Sequence, residues 1–347
     1  MVCNSKTGLW YLRCSNTFLC STRGGLIEPN VGMNRIKPTN CFPKITKNTD
    51  LHPMKDIFPH YHIGHFVNKP EQPLDFEITR FEEMGELDIQ DPHKHTFYEI
   101  LWFDEGRSTQ VIDYREYDIL PGTLFFISPN QLHHFEEYQP LRGGSVFFTE
   151  HFFLLGNPDQ ERLFELTFLD NFFTTPYFQP DDQTFVEIRL TIDLLFNEKK
   201  RPDWSPSIAQ SLLQILLTQI QRGIDNREKP SATKRTVVLY KRLKTLLDQH
   251  FWEALTANDY AQMLNVTPHH LNLVCKAVTG KTTSQYIRAR SILEAKRLLT
   301  FSDYSVSEIA AELSYFDLSY FAKVFKAETG LAPLEFKKTM SEKYRNL

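Results

Sequence analysis

A group of histidines and one glutamate in the first half of the chain has the composition of a metal-binding site. His93, His95 and Glu99 follow the spacing His-x-His-x-x-x-Glu, and His133 and His134 lie further along. Imidazole nitrogens and a carboxylate oxygen are ligands that zinc and iron accept. On a β-strand His93 and His95 would share one face, because side chains two residues apart point the same way. The pattern therefore raises the question of a metal centre built on strands.

The residues around these histidines predict a β-domain. From residue 76 to residue 148 the chain consists of short runs rich in β-branched and aromatic residues, such as FYEILWFDEG and GTLFFISP, separated by Gly, Pro, Asn and Asp. Such runs at regular spacing are typical of a sandwich or a barrel. Glu99 has the same parity as His93 and His95, so these side chains should face a shared interior. We therefore expect a small-molecule pocket there, lined by His93, His95, Glu99 and His133.

A second set of residues forms a pattern that occurs twice. TPHHLNLVCKAVTG begins at Thr267, and DLSYFAKVFKAETG begins at Asp317. Each copy follows a shorter segment with helical periodicity, TANDYAQMLNV or SVSEIAAELSYF. Capping residues precede the four predicted helices, and Pro268 stands in the first turn of one of them. Two helices joined by a tight turn form a helix-turn-helix, and a long helix over residues 283–301 would join the two units. The predicted capping residues are Thr256, Thr267, Ser305 or Ser307, and Asp317.

Two helix-turn-helix units in one chain fit duplex DNA as a partner. One helix enters a major groove, and two helices held in one chain reach groove segments about one helical turn (~34 Å) apart. Residues 231–347 carry 17 Lys and Arg against 11 Asp and Glu, a net charge of +6, whereas residues 1–230 carry −10. A basic end beside an acidic remainder is consistent with one polyanion-binding domain. A tandem helical repeat without DNA binding is the alternative, but it would require more units.

The remaining segments define the predicted organisation. Residues 1–70 lack sustained periodicity and are expected to be irregular or poorly ordered; they contain four of the five cysteines, in no zinc-type spacing. Residues 71–180 are the β-domain, 181–222 a helical segment, 223–236 a linker and 237–340 the helical domain. The apolar residues of Ser207–Arg222 either pack against the β-domain or form a homodimer, and both remain open. We expect a cytoplasmic protein without a membrane partner, because no long apolar run or clean signal peptide occurs.

The C-terminal third closely resembles the AraC/XylS family of bacterial transcription regulators. The resemblance covers roughly residues 237–338 and rests on YIRARSILEAKRLL, VSEIAAEL, DLSYFAKVFKAETGLAPLEFKK and LNLVCKAVTG. It implies an α+β protein of two domains: an N-terminal cupin-like β-barrel with trailing helices that binds an effector, and a C-terminal all-α bipartite domain of seven helices. It also implies a transcription regulator that binds double-stranded DNA, acts as a homodimer and is not an enzyme, and it leaves open a contact with RNA polymerase.

The resemblance also implies which residues meet DNA. The family's base-reading positions correspond to His269, Asn272 and Leu273 in the first recognition helix and to Leu318, Ser319 and Lys323 in the second. Lys276, Tyr320 and Lys326 complete the predicted DNA-binding set. Six basic residues are candidates either for phosphate contact or for solvated surface, and we expect two or three of them to touch phosphate. They are Arg290, Lys296, Arg297, Lys326, Lys337 and Lys338, and a structural role in a buried helix is the alternative for Arg290.

This sequence departs from the family at three positions. The family often has Arg at the positions of Leu273 and Lys323. Leu273 offers only apolar contact, for instance to a thymine methyl group. Lys323 offers a point charge in place of the planar guanidinium, whose paired N–H groups can bind two acceptors at once. Ser314 stands where the second turn usually has Gly, which predicts strain there.

Two other functions compete with transcription regulation. The His93, His95, Glu99 and His133 set also resembles that of metal-binding cupins, so a cupin enzyme with an added helical domain is one alternative. AraC-like sensory domains often keep this framework without metal, and we therefore expect no cofactor. A protein that uses its helices for protein contacts is the other alternative.

Overall fold

The computed structural model describes residues 58, 60–84, 92–136, 141–156, 161–169, 175–227 and 232–344, and two short strands near the N-terminus. The two strands, β1 (Val2–Cys3) and β2 (Trp10–Tyr11), pair antiparallel. They lie in a unit that spans Met1–His52, and the second unit spans Pro53–Leu347. Most of the predicted N-terminal extension therefore lies outside the described residues.

The second unit opens with a β-rich domain. Single 3-10 turns at Phe81–Glu83 and Thr167–Leu169 interrupt it. Its strands and short helices are, in chain order, β3 (His60–Tyr61), α1 (Ile63–Phe66), β4 (Phe76–Arg80), β5 (Lys94–His95), β6 (Tyr98–Glu105), β7 (Ser108–Ile112), β8 (Arg115–Ile119), β9 (Leu124–Ile127), β10 (His133–Phe135), β11 (Arg142–Phe148), α2 (Glu150–Phe153), α3 (Glu161–Phe164) and β12 (Tyr177–Phe178).

The strands form separate sheets and not one closed barrel. A five-stranded antiparallel sheet has the order β12-β9-β6-β11-β4, a three-stranded one has the order β10-β7-β8, and β3 pairs with β5 in parallel. Among the described residues an isolated antiparallel bridge between His93 and His133 links the β3–β5 pair to the three-stranded sheet, and no strand pairing joins the three-stranded sheet to the five-stranded one. The prediction of a β-rich domain is confirmed, whereas the closed barrel is corrected to two facing sheets.

The two faces of β6 explain why the sheets remain open. Ile100 and Trp102 pack toward the helices that follow the domain, and Leu101 and Phe103 pack toward the three-stranded sheet. Side chains alternate along a strand, so each face of the central strand is apolar and needs its own cover. A helical layer covers one apolar face of the strand, and a second sheet covers the other.

The β-domain begins earlier than predicted. Ile63 and Phe66 are buried in one cluster with Phe97 and Phe147. Residues 60–66 therefore belong to the folded domain and not to the irregular extension of residues 1–70, because this apolar pair covers an end of the five-stranded sheet.

Two long helices follow, α4 (Asp182–Lys199) and α5 (Pro206–Arg227). Leu213, Leu216, Leu217 and Ile220 of α5 are buried in the cluster that contains Trp102. Most of the apolar face of α5 thus packs inside the chain, which is the first of the two alternatives for this segment. The helix also extends to Arg227, and the next one begins at Lys234, so both ends of the predicted linker are helical.

Seven helices form the C-terminal part from Lys234 to Tyr344. Two buried clusters organise them, one around Leu271, Cys275 and Tyr286 and the other around Phe321 and Phe325. The helices are α6 (Lys234–His250), α7 (Ala257–Met263), α8 (Pro268–Thr279), α9 (Thr283–Phe301), α10 (Val306–Glu312), α11 (Leu318–Thr329) and α12 (Pro333–Tyr344).

The predicted helix starts are confirmed. Thr256 and Ser305 each form a capping box with the acidic residue three positions later, and Thr267 and Asp317 accept backbone N–H groups at the starts of α8 and α11. These side chains satisfy amide groups that lack partners in the first turn.

The repeated Thr-Gly pair ends both α8 and α11 in the same way. The hydroxyls of Thr279 and Thr329 donate to the carbonyls of Cys275 and Phe325, at 2.7 and 2.8 Å. Gly280 and Gly330 follow with φ of 71° and 83°, a left-handed conformation that glycine adopts at low cost. The repetition in the sequence therefore encodes two copies of one helix-turn-helix unit.

Candidate nucleic-acid interface

Helices α8 and α11 present the predicted recognition edges. Leu271 and Phe321 anchor their inner faces, since both side chains are fully buried. Eight of the nine predicted DNA-binding side chains have largely exposed positions, and Asn272 is the exception. The eight exposed residues are His269, Leu273, Lys276, Leu318, Ser319, Tyr320, Lys323 and Lys326.

Asn272 contributes to the structure of the first unit. Its carboxamide oxygen accepts the backbone N–H of Thr283 at 3.2 Å, at the start of α9. The side chain is half-buried between two helices. The oxygen thus helps to hold α8 against α9, and base reading by Asn272 stays a prediction.

The exposed edge of the second unit is strongly apolar. Leu318 is 47% exposed and Tyr320 52% exposed, and Phe316, immediately before the capping residue of α11, is 91% exposed. In the first unit Leu273 is 51% exposed. Sequence reasoning missed Phe316; the signal that could have found it is a large aromatic residue in a turn where neither helix can bury it.

Four of the six basic candidates for phosphate contact have partners inside the protein. Arg290 pairs with Asp248 at 2.7 Å and lies over the ring of Phe251 at 4.0 Å. The ammonium of Lys337 donates to two backbone carbonyls that follow α9. Of the six, only Lys326 and Lys338 are exposed. Arg297 and Lys296 lie in the contact between the domains.

That contact is made by the tip of the β7–β8 hairpin. Asp113 and Tyr114 are the two residues of its turn. Both have a positive φ, 47° and 69°, which a two-residue type I′ hairpin turn requires. Arg297 Nη2 donates to Asp113 Oδ1 at 2.7 Å, and the Tyr114 hydroxyl donates to Thr300 Oγ1 at 3.1 Å. The Tyr114 ring packs on the core of the second helix-turn-helix unit. The hairpin thus connects the β-domain with that unit.

Further charges lie at the same contact. Lys343 bridges Glu116 and Glu136, which lie on the β-domain. The ammonium of Lys296 lies over the Tyr114 ring at 4.3 Å. Burial lowers the pKa of Lys296 to about 8 and raises the pKa of Tyr114 above its ordinary range. The carboxylates of Asp113 and Glu294 keep Arg297 charged despite burial, raising its pKa.

The predicted interior cluster of the β-domain is present. His95 Nε2 lies 3.3 Å and His133 Nε2 lies 3.7 Å from Glu99 Oε2, and all three side chains are buried. Burial lowers the pKa of His133 well below its ordinary value, so its ring is neutral. His93 stands beside this group, with its ring centroid 4.3 Å from that of His133, but it is not one of the three that converge.

The space around these residues is filled by aromatic rings. Phe66 contacts the rings of His93, His95 and Phe97. Two cavities, of about 280 and 170 Å³, instead lie next to the hairpin contact, and both are lined in part by Asp113 and Gln131. The expected effector pocket at the four sequence-predicted residues therefore stays a prediction.

No helix among the described residues has both the length and the apolar character to cross a bilayer.

Comparisons with known proteins match both parts of the chain. Residues 76–147 match the family described as "AraC-like ligand binding domain", and residues 260–339 match the one described as "Helix-turn-helix domain". The HTH-type transcriptional activator RhaR of Cronobacter sakazakii is 28% identical over 248 residues, which cover 70% of this chain and 84% of RhaR. The activator RhaS of Escherichia fergusonii is 25% identical over 250 residues, covering 71% and 86%.

Among solved structures, ToxT from Vibrio cholerae is similar to this chain at 12% identity and a TM-score of 0.37, covering 76% of this chain and 98% of ToxT.

Proposed function

The chain belongs to the AraC/XylS family of DNA-binding transcription regulators, with a ligand-binding β-domain ahead of two helix-turn-helix units, and from this premise we propose how it reads its operator. Helices α8 and α11 enter two successive major-groove segments of one DNA face. The observation that carries the proposal is the duplicated unit itself, with matching caps and exposed outer edges on both recognition helices.

The operator is expected to present thymine methyl groups to these edges. Leu273 offers apolar surface at a position where an arginine would select guanine, and Leu318 and Phe316 add apolar surface to the edge of the second unit. The C5-methyl of thymine is the apolar group of the major groove. Lys276, Lys323 and Lys326 supply charge for phosphates or for guanine acceptors. The edge is thus expected to select thymine at the positions nearest the apolar residues.

Selection of random duplexes with the full chain at fixed salt tests this proposal. Two short motifs about one helical turn apart are expected, enriched in thymine at the apolar contacts. Each thymine is then replaced by uracil, which lacks only the methyl group. Loss of one buried methyl should weaken binding about fourfold, as expected from ~0.8 kcal/mol. Leu273→Ala should remove this sensitivity in the first motif only, and enrichment of no sequence would contradict the proposal.

The ligand-binding domain is proposed to act on DNA affinity through the β7–β8 hairpin. An effector changes DNA affinity only if it binds two arrangements of the protein unequally. Asp113 and Tyr114 belong to the ligand-binding domain but contact the second helix-turn-helix unit, so a displacement of the hairpin alters support for α11. The named relatives are transcriptional activators, which favours a regulator over an enzyme and makes RNA polymerase contact part of this proposal.

Helix α4 offers a surface for a homodimer. Val186, Leu190 and Leu194 are 57%, 60% and 53% exposed, and their spacing of four residues places them on one stripe. Most of the corresponding stripe of α5 is already buried inside the chain. We therefore assign the proposed dimer contact to α4 of two copies, and not to α5.

A further inference from the structure

A cavity of about 280 Å³ lies between the β-domain and the C-terminal helices. Lys94 and Asn130 line it from the β-domain, and Lys244 of α6 and Arg297 of α9 line it from the helices. Its volume equals that of about nine water molecules at ~30 Å³ each, and it lies near the lower end of small-molecule pockets, roughly 300 Å³. A small molecule bound in this cavity would therefore contact both domains at once.

The charged side chains around this cavity leave one positive charge in excess. Four of them are basic and three are carboxylates: Lys94, Lys244, Arg290 and Arg297, and Asp113, Asp248 and Glu294. Two of the carboxylates are shared between basic partners. Glu294 lies 3.2 Å from both Arg290 and Arg297, and Asp248 lies 2.7 Å from Arg290 and 3.6 Å from Lys244. Because charges in a partly enclosed site are stable only when they are paired, a monoanion in the cavity would balance this excess.

The guanidinium of Arg297 has one nitrogen that no group among the described residues pairs with. Nη2 donates to Asp113 Oδ1 at 2.7 Å, and Nη1 donates to Glu294 Oε2 at 3.2 Å. The third nitrogen, Nε, is buried and lacks a hydrogen-bond partner. Nε and Nη2 lie along one side of the guanidinium, and a carboxylate binds such a pair with two parallel hydrogen bonds. Asp113 makes only one of these two bonds, so a better-placed carboxylate can compete with it.

We propose that this cavity binds a small organic monocarboxylate, which replaces Asp113 on Arg297. The ligand carboxylate takes Nε and Nη2 together, and Phe251 and Leu293 supply apolar surface for the rest of the molecule. Displacement of Asp113 removes the charged contact between the β7–β8 hairpin and α9. The inference rests on the proposed coupling through this hairpin, since an acid that binds the released arrangement better than the docked one shifts the protein toward release.

Binding is measured on the full chain without DNA, so that the result does not depend on operator recognition. Cyclohexanecarboxylate is the probe, and cyclohexanecarboxamide, which has nearly the same shape without the charge, is its control. Saturation-transfer NMR should detect binding of the acid and not of the amide. Cyclohexyl phosphate, which is largely a dianion at neutral pH, should bind more weakly than the acid, because the cavity has a single positive charge in excess.

Variants of the competing pair separate this site from any other basic surface. Asp113→Asn should bind the acid about 30-fold more tightly, because the carboxylate charge that competes for Arg297 is gone. Asp118→Asn, which removes an exposed carboxylate from β8, is the matched control and should leave the affinity unchanged. Asp113→Asn combined with Arg297→Gln removes both partners of the buried pair, so no unpaired charge opposes folding, and this chain should not bind the acid.

Four results would overturn the proposal: no binding of the acid, equal binding of the acid and the amide, tighter binding of the phosphate, or an affinity that Asp113→Asn does not raise. Operator binding with and without the acid is a separate measurement. If the acid binds as expected and operator affinity stays the same, the coupling through the hairpin is wrong and the binding site stands.

Discussion

Replacing Asp113 by Asn isolates the charge in the contact between the domains. Asparagine adopts the left-handed backbone of this turn as readily as aspartate does, so the hairpin keeps its shape. The buried guanidinium of Arg297 then loses the negative charge of its 2.7 Å partner and retains the charge of Glu294 at 3.2 Å. At an effective dielectric constant of 20, a unit pair at 2.7 Å is worth about 6 kcal/mol before desolvation. Removing one partner of a buried pair costs about 3–5 kcal/mol. Because Glu294 remains and the new amide oxygen still accepts a hydrogen bond, we expect a loss of about 2–3 kcal/mol.

Urea unfolding monitored by hydrogen exchange measures this loss in the second helix-turn-helix unit. The amides of α9 near Arg297 and Thr300 should exchange faster in Asp113→Asn, while those of α8 should be little changed. Asp118→Asn is the matched control, because it removes an exposed carboxylate from β8. A double-mutant cycle with Arg297→Gln should give a coupling energy of about 2 kcal/mol. A coupling energy near zero, or equal effects of Asp113→Asn and Asp118→Asn, would refute a docked hairpin.

Four further predictions follow from individual contacts. Lys323→Ala should weaken specific DNA binding by roughly 1–3 kcal/mol in titrations at fixed salt, and an equal loss on random DNA would reassign Lys323 to phosphate contact. Burial lowers the pKa of Lys296 from 10.5 to about 8 in the folded protein. Below pH 8 the folded and the unfolded chain both hold this proton, whereas between pH 8 and 10.5 the unfolded chain holds more of it. The free energy of unfolding should therefore rise with pH over that interval, and Lys296→Met should abolish the rise. Ser314 has φ of 58°, and its hydroxyl donates to the Trp252 carbonyl at 2.6 Å. Ser314→Gly should leave the free energy of unfolding nearly unchanged, because relief of backbone strain offsets the lost hydrogen bond. Ser314→Ala should lower it by about 1 kcal/mol in thermal unfolding, because the bond is lost and the strain remains. Leu190→Glu should convert the proposed α4 dimer to monomer in sedimentation experiments, with Glu187→Gln as the control on the same helix, and an unchanged mass would exclude this surface.

Local patterns gave reliable predictions in the C-terminal domain. The caps at Thr256 and Asp317 and the strained turn at Ser314 depend on neighbours a few residues away, and each is present in the structure. Such features can be read from a sequence because helix starts and tight turns are decided by side chains that bond to nearby backbone.

The sequence did not show which candidate side chains have distant partners inside the protein. Asn272 has the position of a base reader, but it holds Thr283. Lys296 and Arg297 have the pattern of phosphate contacts, but the β7–β8 hairpin covers them. Phe316 was overlooked because exposure of an aromatic residue in a turn depends on how the two flanking helices cross.

The sequence by itself determined the architecture: a β-domain with alternating faces, and a duplicated helix-turn-helix whose caps, periodicity and closing Thr-Gly pairs are encoded within each unit. Tertiary structure alone decided that the sheets face each other without closing. It also decided that most apolar residues of α5 are buried, while α4 keeps an exposed apolar stripe at Val186, Leu190 and Leu194 beside its buried face. It also decided that Arg297 meets Asp113, 184 residues away in the chain. The physical reason is the distance along the chain over which each kind of interaction acts. Capping and periodicity act over one helical turn, whereas the partner of a buried charge or a sheet face is chosen by packing, which brings together residues that no local pattern connects.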